Sequence, residues 1–237
     1  MNYAIIAAGE GARLAEEGSK VPKPLVELNG TALIDRLIDI FLKNDAEEIH
    51  IIINESSVAL KEHLKKRQSD APIKLVVKST PDSLHSFGEL IPQIGGKDVC
   101  LTTVDTVFSD REFSVYIKAF RAAQHLDAMA AVTTFVDDEK PLYVSTSSGM
   151  DITAFKDSNT ANDCKYISGG IYCLRKKAFD SAINTLKEGK SRMRDFQRRM
   201  IKDGLKIKAW DFSKIVDVDH IHDIRTAEEM LRQYTSI

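Results

Sequence analysis

The sequence predicts an α/β fold with three layers, α/β/α, around a mixed, mostly parallel central sheet. In the first half of the chain, apolar runs with β-branched residues alternate with longer segments of helical period, which is typical of strands joined by helices. In the second half, three short extended runs follow one another without a long helix between them. Of the 237 residues, 43% are hydrophobic and 29% are charged, which are ordinary values for a globular chain.

The first half contains the predicted parallel part of the sheet. Apolar runs predict strands, and stripes of apolar side chains at helical spacing predict the helices between them. Because helices join these strands, we expect the strands to pair mostly in parallel. The predicted strands are 3–8, 49–53, 73–77, 99–104 and 128–134, and the predicted helices are 32–42, 58–66 and 112–125.

The second half is predicted to add antiparallel strands and then to return to helices. The antiparallel additions are 141–145, 151–155 and 166–174, and a strand pair is expected at 207–210 and 215–218. Helices are expected at 176–187, 191–202 and 224–234, the second of them with a packed apolar stripe and a solvated, arginine-rich face. Since no repeat or composition break divides the chain, we expect one domain over residues 1–237.

Charge and cysteine content argue against several functions. A net charge of -2 and a pI of about 6.3 provide no field that would attract nucleic acid or an anionic membrane. Three cysteines without a C-x-x-C pair argue against a disulfide framework or a structural zinc site. The first apolar run is too short for a signal peptide or a membrane span, so a cytoplasmic protein is expected. The sequence leaves open whether the chain forms a homo-oligomer.

A glycine-rich turn follows the first predicted strand. Gly9 and Gly11 in Gly9-Glu10-Gly11-Ala12-Arg13-Leu14 would let backbone N–H groups approach phosphate oxygens, and Arg13 adds a guanidinium. Leu14 stands where a dinucleotide-binding fingerprint needs a third glycine, and the G-K-[ST] of a P-loop is absent. The turn therefore predicts a different kind of phosphate site, or else a tight βα turn without a ligand.

A second motif, Val21-Pro22-Lys23-Pro24-Leu25, strengthens the phosphate interpretation. Two prolines stiffen the backbone on both sides of Lys23, so its ammonium can be presented to a phosphate at a lower entropic cost. Together the two motifs resemble the signature of the nucleotidyltransferase family that includes sugar-1-phosphate nucleotidylyltransferases and phosphocholine cytidylyltransferases.

This resemblance implies a Rossmann-like, GT-A type fold in which the glycine loop surrounds a nucleoside triphosphate. Arg13 and Lys23 would be the catalytic cations that face the triphosphate. One departure is Ala12, where the family often has a serine or threonine. The residues that the resemblance assigns to nucleotide binding in the loop are Ala7, Ala8, Gly9 and Gly11.

Carboxylates at the ends of predicted strands are the candidate ligands of Mg²⁺, which this chemistry needs because both reactants are anionic. Asp105 ends a strand that resembles the family's metal-binding strand, although Val104 replaces the usual glycine and an ordinary capping role stays open. Asp217 and Asp219 share one strand face. The family register assigns the second metal site to Asp219 and a supporting role to Asp217.

Three further segments resemble the regions that read the base and the acceptor. Ser83 lies in the region of the base-reading loop, but it could equally be only a helix N-cap. Gly169 and Gly170 resemble the acceptor-side strand, where glycines otherwise mark a bulge. Lys156 stands where the family often has Glu-Lys-Pro, without that glutamate and proline, and is the candidate acceptor-binding cation.

The resemblance thus implies a Mg²⁺-dependent nucleotidyltransferase. It would transfer a nucleotidyl group from a nucleoside triphosphate to a sugar 1-phosphate or phosphoalcohol and release pyrophosphate, as in nucleotide sugar biosynthesis. Two alternatives stay open. A GT-A glycosyltransferase shares the fold type, and an inactive nucleotide-binding paralogue would explain the departures at Ala12 and Val104.

Overall fold

The computed structural model describes residues 1–136 and 139–235. The strands are β1 (Asn2–Ala7), β2 (Glu27–Leu28), β3 (Thr31–Ala32), β4 (Ile49–Ile53), β5 (Ile73–Val77), β6 (Val99–Thr103), β7 (Thr106–Val107), β8 (Ala128–Thr133), β9 (Tyr143–Thr146), β10 (Ile152–Lys156), β11 (Tyr166–Leu174), β12 (Ile207–Phe212) and β13 (Val216–Asp217). The helices are α1 (Ala12–Glu16), α2 (Leu33–Lys43), α3 (Val58–Arg67), α4 (Ser83–Ile94), α5 (Asp110–Ala122), α6 (Lys176–Lys187), α7 (Met193–Lys202) and α8 (Ile221–Thr235).

One mixed sheet organises these elements, and in the described residues it has nine strands in the order β10-β9-β11-β6-β1-β4-β5, with β8 and β12 joined through β11. Strands β5, β4, β1 and β6 pair in parallel, and β12 pairs in parallel with β8. Strand β11 is antiparallel to β6, β8 and β9. The predicted mixed, mostly parallel sheet is confirmed.

Helices cover both faces of the sheet because successive side chains of each buried strand point to opposite sides. Tyr3 and Ile5 of β1 pack into one core with α2, α3, α5 and α8. Ala4 and Ile6 pack into the other core with α4, α6 and α7. This arrangement confirms the predicted three layers. No helix among the described residues is both long enough and apolar enough to cross a membrane.

The parallel pairing of β1 with β6 decides where a site can form. Ile6 lies opposite Thr103, and the Val104 amide donates to the Ile6 carbonyl oxygen at 3.1 Å. The turn after β1 and the turn after β6 therefore leave the sheet side by side. Ligands of open α/β sheets bind at such carboxyl ends.

Most predicted elements are confirmed, and 49–53, 73–77, 166–174 and 176–187 match the structure residue for residue. Strands form near both 207–210 and 215–218, as predicted, but the predicted pairing of these two strands with each other is wrong. Strand β12 instead pairs with β8, where Ile207, Ala209 and Phe212 become buried, and β13 crosses to pair with β7. For α4, the sequence indicated only where the helix begins, and the rest of the helix was not predicted.

Candidate active site

The turn between β1 and α1 brings the two sequence motifs into contact. Gly11 has a φ of 63°, in the left-handed region that favours glycine. A Cβ atom at Gly11 would lie 2.8 Å from the Cβ of Lys23, too close for any other residue without a shift of the chain. Gly9 faces open space, with nothing within 4 Å of such an atom. The turn thus packs on Lys23 at Gly11 and stays open at Gly9.

Lys23 begins a short 3-10 turn, Lys23–Leu25, and its ammonium joins two carboxylates. Its Nζ donates to Asp105 Oδ2 at 2.5 Å and to Asp219 Oδ1 at 2.6 Å. Arg13 donates to the other oxygen of Asp219 at 2.7 Å. The structure therefore brings together all four residues that the sequence proposed as catalytic cations and metal ligands.

Burial and charge act in opposite directions on these groups. Burial lowers the pKa of Lys23, whose side chain is 11% exposed, but Asp105 and Asp219 outweigh it and raise that pKa above its ordinary value. Burial raises the pKa of Asp219, but Lys23 and Arg13 lower it below its ordinary value. The ammonium and the Asp219 carboxylate are therefore both charged at neutral pH.

The segment around Asp219 is held by two acidic residues that the sequence analysis missed. Asp223 Oδ2 accepts from the Asp219 amide at 2.9 Å and from the His220 amide at 2.7 Å. Glu17, just after α1, accepts from the Ile221 amide at 2.7 Å and contacts His220 Nδ1 at 2.5 Å. An acidic side chain at the third position of a helix often accepts a hydrogen bond from the backbone amide just before the helix. Asp223 is the third residue of α8, so this role could have been predicted from its position.

The donor set at this point fits a hard cation such as Mg²⁺. Two carboxylates converge on one ammonium, and Asp105 Oδ1 is buried without a hydrogen-bond partner among the described residues. Within the described part of the chain, no three histidine, cysteine, aspartate or glutamate side chains cluster as a metal site. Mg²⁺ is often bound by one or two carboxylates together with water and substrate phosphates.

Asp217 differs from Asp219 in its surroundings. It makes no ion pair with Lys23 or Arg13 and lines both of the pockets described below. Although the residue is open to the cleft, the enclosing walls desolvate its carboxyl, and this desolvation, with the charge of Asp105, raises the pKa of Asp217 to about 7.

Two pockets lie beside these charged residues. The first pocket, of about 310 Å³, is lined by residues that include Arg13, Gly169, Asp217 and Asp219. The second pocket, of about 450 Å³, extends from the ends of β1 and β6 to the start of α7. Its size suits a small-molecule ligand. Ser168 and Asp217 line both pockets, so the two are adjacent.

Ser83 is not the helix N-cap that the sequence left open. Asp82 caps α4, accepting from the Leu84 and His85 amides at 3.0 Å each. Ser83 lines the second pocket. Ser86 is buried and bonded to Thr80 at 2.6 Å.

Gly169 and Gly170 form an irregularity in β11 where its register shifts against β8. A Cβ at Gly169 would lie 2.3 Å from Ile215 Cδ1, and Gly170 has a φ of 73°. Gly169 lines the first pocket and Gly170 the second. The irregularity of β11 at these two glycines therefore forms part of the wall of both pockets.

Lys156 does not lie with the other predicted site residues. It is on β10, its Nζ donates to Asp163 at 2.5 Å, and it lines neither of the two cleft pockets. Strand β10 is separated from β6 by β9 and β11, which the local sequence pattern could not reveal.

The expected solvated face of α7 is also only partly correct. Arg198 and Arg199 pair with nearby carboxylates, but Arg192 and Arg194 line the second pocket. Gln197 is a polar residue on the buried stripe of α7. It could have indicated from the sequence that this helix borders a polar cavity.

The fold and the site together define an α/β protein whose cleft lies at the carboxyl ends of parallel strands. The family model described as nucleotidyl transferase matches residues 3–233. The chain therefore belongs to the nucleotidyl transferase family.

Curated relatives that match the chain include the following two. A 2-aminoethylphosphonate cytidylyltransferase of Lancefieldella rimae is 28% identical over 116 residues, which are 46% of this chain and 44% of the relative. The bifunctional protein GlmU of Clostridioides difficile is 23% identical over 247 aligned residues, 97% of this chain and 51% of the relative. The chain spans about half the length of these relatives.

Solved structures share the fold. One, from Bacillus anthracis, is provisionally described as a glucose-1-phosphate thymidylyltransferase and was crystallised with sucrose; it has a TM-score of 0.82 and 18% identity over 98% of this chain and 95% of that one. The inositol-1-phosphate CTP transferase of T. maritima has a TM-score of 0.77 and 18% identity over 97% of each chain.

Proposed function

We propose that this protein is a Mg²⁺-dependent nucleotidyltransferase that joins a nucleoside triphosphate to a small phosphorylated acceptor and releases pyrophosphate. One observation carries the proposal. Two cations, Arg13 and Lys23, meet two carboxylates, Asp105 and Asp219, where the glycine turn leaves β1 and beside two adjacent pockets. Family membership supports the same activity.

The glycine turn is proposed to hold the triphosphate. Gly9 leaves its backbone open to a ligand, and Gly11 lets the turn pack on Lys23, so phosphate oxygens bound at the turn would lie within reach of Lys23 and Arg13. Ala7 is the last residue of β1, and Ala8 follows it into the turn. Ser83, at the start of α4, is placed to contact the nucleotide from the second pocket.

Asp105 and Asp219 are the residues that would hold Mg²⁺. When bound, this ion would neutralise phosphate charge and orient the leaving pyrophosphate. Asp223 and Glu17 hold the backbone amides from Asp219 to Ile221, so they would keep the Asp219 carboxylate in place.

In the proposed reaction, an oxygen of the acceptor phosphate attacks the α-phosphorus of the triphosphate. The bond between the α-phosphorus and the oxygen that bridges to the β-phosphorus breaks, and its electron pair leaves with pyrophosphate. The acceptor phosphate is already ionised at neutral pH, so no side chain has to remove a proton. Positioning and charge stabilisation by Arg13 and Lys23 supply the rate.

The acceptor is proposed to lie against Gly169 and Gly170, whose missing side chains leave the cleft wall open. A role for Lys156 in acceptor binding requires that it give up its pair with Asp163. Family membership favours nucleotidyl transfer over a GT-A glycosyltransferase. The intact cluster of cations and carboxylates argues against an inactive paralogue.

An omission experiment tests the proposal. Pyrophosphate release is measured with triphosphate, acceptor and Mg²⁺ together, and then with each one left out. We expect release only from the complete mixture because all three build one site. Hydrolysis of the triphosphate at the same rate without an acceptor would disprove nucleotidyl transfer as the main activity.

A further inference from the structure

The wall of the second pocket contains three polar side chains that bond to one another, two of them buried and one, Ser168, half-buried. Gln197, which is 1% exposed, donates from Nε2 to Ser168 Oγ at 3.0 Å and to the Tyr172 hydroxyl at 2.7 Å. The two hydroxyls lie 3.0 Å apart, so one donates to the other. All three residues line the pocket.

Counting protons shows that this group can still bind a ligand. The Gln197 amide uses both of its N–H bonds, and one hydroxyl proton joins Ser168 to Tyr172. The second hydroxyl proton has no acceptor within the group. Burial raises the pKa of Tyr172 to about 12, so the phenol stays protonated at neutral pH. The wall therefore offers a fixed hydroxyl donor, which suits an acceptor that itself carries hydroxyl groups.

The start of α7 adds positive charge to the same pocket. Arg194 is held by Asp157 at 2.6 Å, and Arg198 and Arg199 also pair with carboxylates. Arg192 lines the pocket and is exposed, and it makes no ion pair with any residue in the part of the chain that the structure describes. Its guanidinium is available to an anionic ligand.

A cationic acceptor fits this pocket poorly. Quaternary ammonium groups are bound by aromatic faces, and Tyr172, the one aromatic residue in the described lining, is tied through its hydroxyl. Arg192, which the pairing of Arg194 with Asp157 leaves as the unpaired arginine of the described lining, would also repel a positive charge.

The reacting phosphate of an acceptor must lie near Asp105 and Asp219. Thr103 and Asp217, each two residues from one of these carboxylates, line the second pocket. An acceptor whose phosphate reacts there would extend past Ser168 and Tyr172 towards Arg192.

Resting on the proposed function, we propose that the part of the second pocket formed by Ser168, Tyr172 and Arg192, rather than the part at Ser83 proposed to contact the nucleotide, binds the acceptor. This acceptor has hydroxyl groups and, besides its reacting phosphate, a second anionic group held by Arg192. Arg192 is then a specificity-determining residue.

The test compares three sugar 1-phosphates that differ only at C6, together with phosphocholine as a cationic acceptor. Glucose 1-phosphate, glucuronic acid 1-phosphate, glucose 1,6-bisphosphate and phosphocholine are assayed for kcat/KM by pyrophosphate release, each with every common nucleoside triphosphate and Mg²⁺. We expect the wild type to prefer an acceptor with a second anion over glucose 1-phosphate. The two anionic sugars separate a carboxylate from a phosphate preference.

Arg192→Gln should lower the ratio of kcat/KM for the anionic acceptor over glucose 1-phosphate by about tenfold, the scale of one lost charge-assisted hydrogen bond. Arg225→Gln is the matched control, because Arg225 is 81% exposed and lines neither pocket, and it should leave the ratio unchanged. Melting temperatures check that both variants fold.

Preference for phosphocholine or glucose 1-phosphate would overturn the inference. So would an Arg192→Gln variant that loses activity on every acceptor by the same factor, since Arg192 would then contact the reacting phosphate. If no acceptor yields pyrophosphate, the proposed function fails instead. In that case equilibrium binding of the same acceptors, with Mg²⁺ and a nonhydrolysable triphosphate, still decides the inference, and equal affinities for anionic and neutral sugars would overturn it.

Discussion

Replacing Lys23 with methionine tests whether one ammonium holds the two carboxylates in the free protein. Lys23→Met keeps the apolar stem but removes the charge that lies 2.5 Å from Asp105 and 2.6 Å from Asp219. Breaking a fully buried pair costs roughly 3–5 kcal/mol. The Asp105 and Asp219 side chains are 20% and 40% exposed, so solvent screening reduces the expected cost to about 1–3 kcal/mol.

This cost should be visible as a fall in melting temperature of roughly 3–10 °C for a chain of this size. Mg²⁺ should restore part of the loss, because a cation that binds the freed carboxylates stabilises the folded state. Turnover should nevertheless fall by roughly 100-fold or more, the scale for removal of one preorganised charge-stabilising group.

The assay is thermal unfolding in EDTA and across a Mg²⁺ titration, followed by pyrophosphate release. Lys20→Met is the matched control, since Lys20 is an exposed lysine of the same loop, and it should behave as the wild type. A Lys23→Met variant with wild-type melting temperature and turnover would refute the reasoning. A destabilised variant that responds to Mg²⁺ no more than the wild type would refute the idea that cation and ammonium share the carboxylates.

Two further predictions concern the aspartates and the glycine turn. Asp105→Asn and Asp219→Asn should each abolish Mg²⁺-dependent turnover in a folded protein, whereas Asp217→Asn should keep a measurable part of it; rates across a Mg²⁺ titration decide, and the reverse order for Asp217 and Asp219 would contradict the assignment. Gly11→Ala should cost about 1–3 kcal/mol of stability and most of the turnover, because its backbone is left-handed and a Cβ meets Lys23. Gly9→Ala should melt as the wild type does, since nothing lies within 4 Å, and equal melting temperatures for the two variants would argue against this packing.

Much of the parallel half of the fold could be predicted because its central strands β1 and β4 are buried on both faces. Such strands are nearly continuous apolar runs, as in Ile49–Ile53, where His50 is the one polar residue, and they need no knowledge of their neighbours to be recognised. Pairing in the second half depends on tertiary contacts. The pairing of β12 with β8 is set by a core that forms from distant parts of the chain, so the sequence suggested a local strand pair instead.

The site residues likewise divide into those that local motifs predict and those whose position depends on tertiary contacts. Lys23 and Asp105 lie in motifs whose local chemistry is unusual, and the structure joins them directly. The contact of Lys23 with Asp219 was not evident from the local sequence, because Asp219 lies 196 residues further along the chain. Lys156 was assigned from its motif position, but the position of β10 within the sheet separates it from the cleft. The role of Gln197 was overlooked because it depends on hydrogen bonds to Ser168 and Tyr172, which lie on β11.

The most direct test of nucleotidyl transfer follows the α-phosphate itself. Each common nucleoside triphosphate, labelled at the α-phosphorus, is incubated with Mg²⁺ and a panel of phosphorylated sugars and alcohols. We expect that for at least one pair the label appears in a nucleoside diphosphate conjugate of the acceptor, with one pyrophosphate released per conjugate. Label that appears only in free nucleotide, or no conversion by the folded protein anywhere in the matrix, would contradict it.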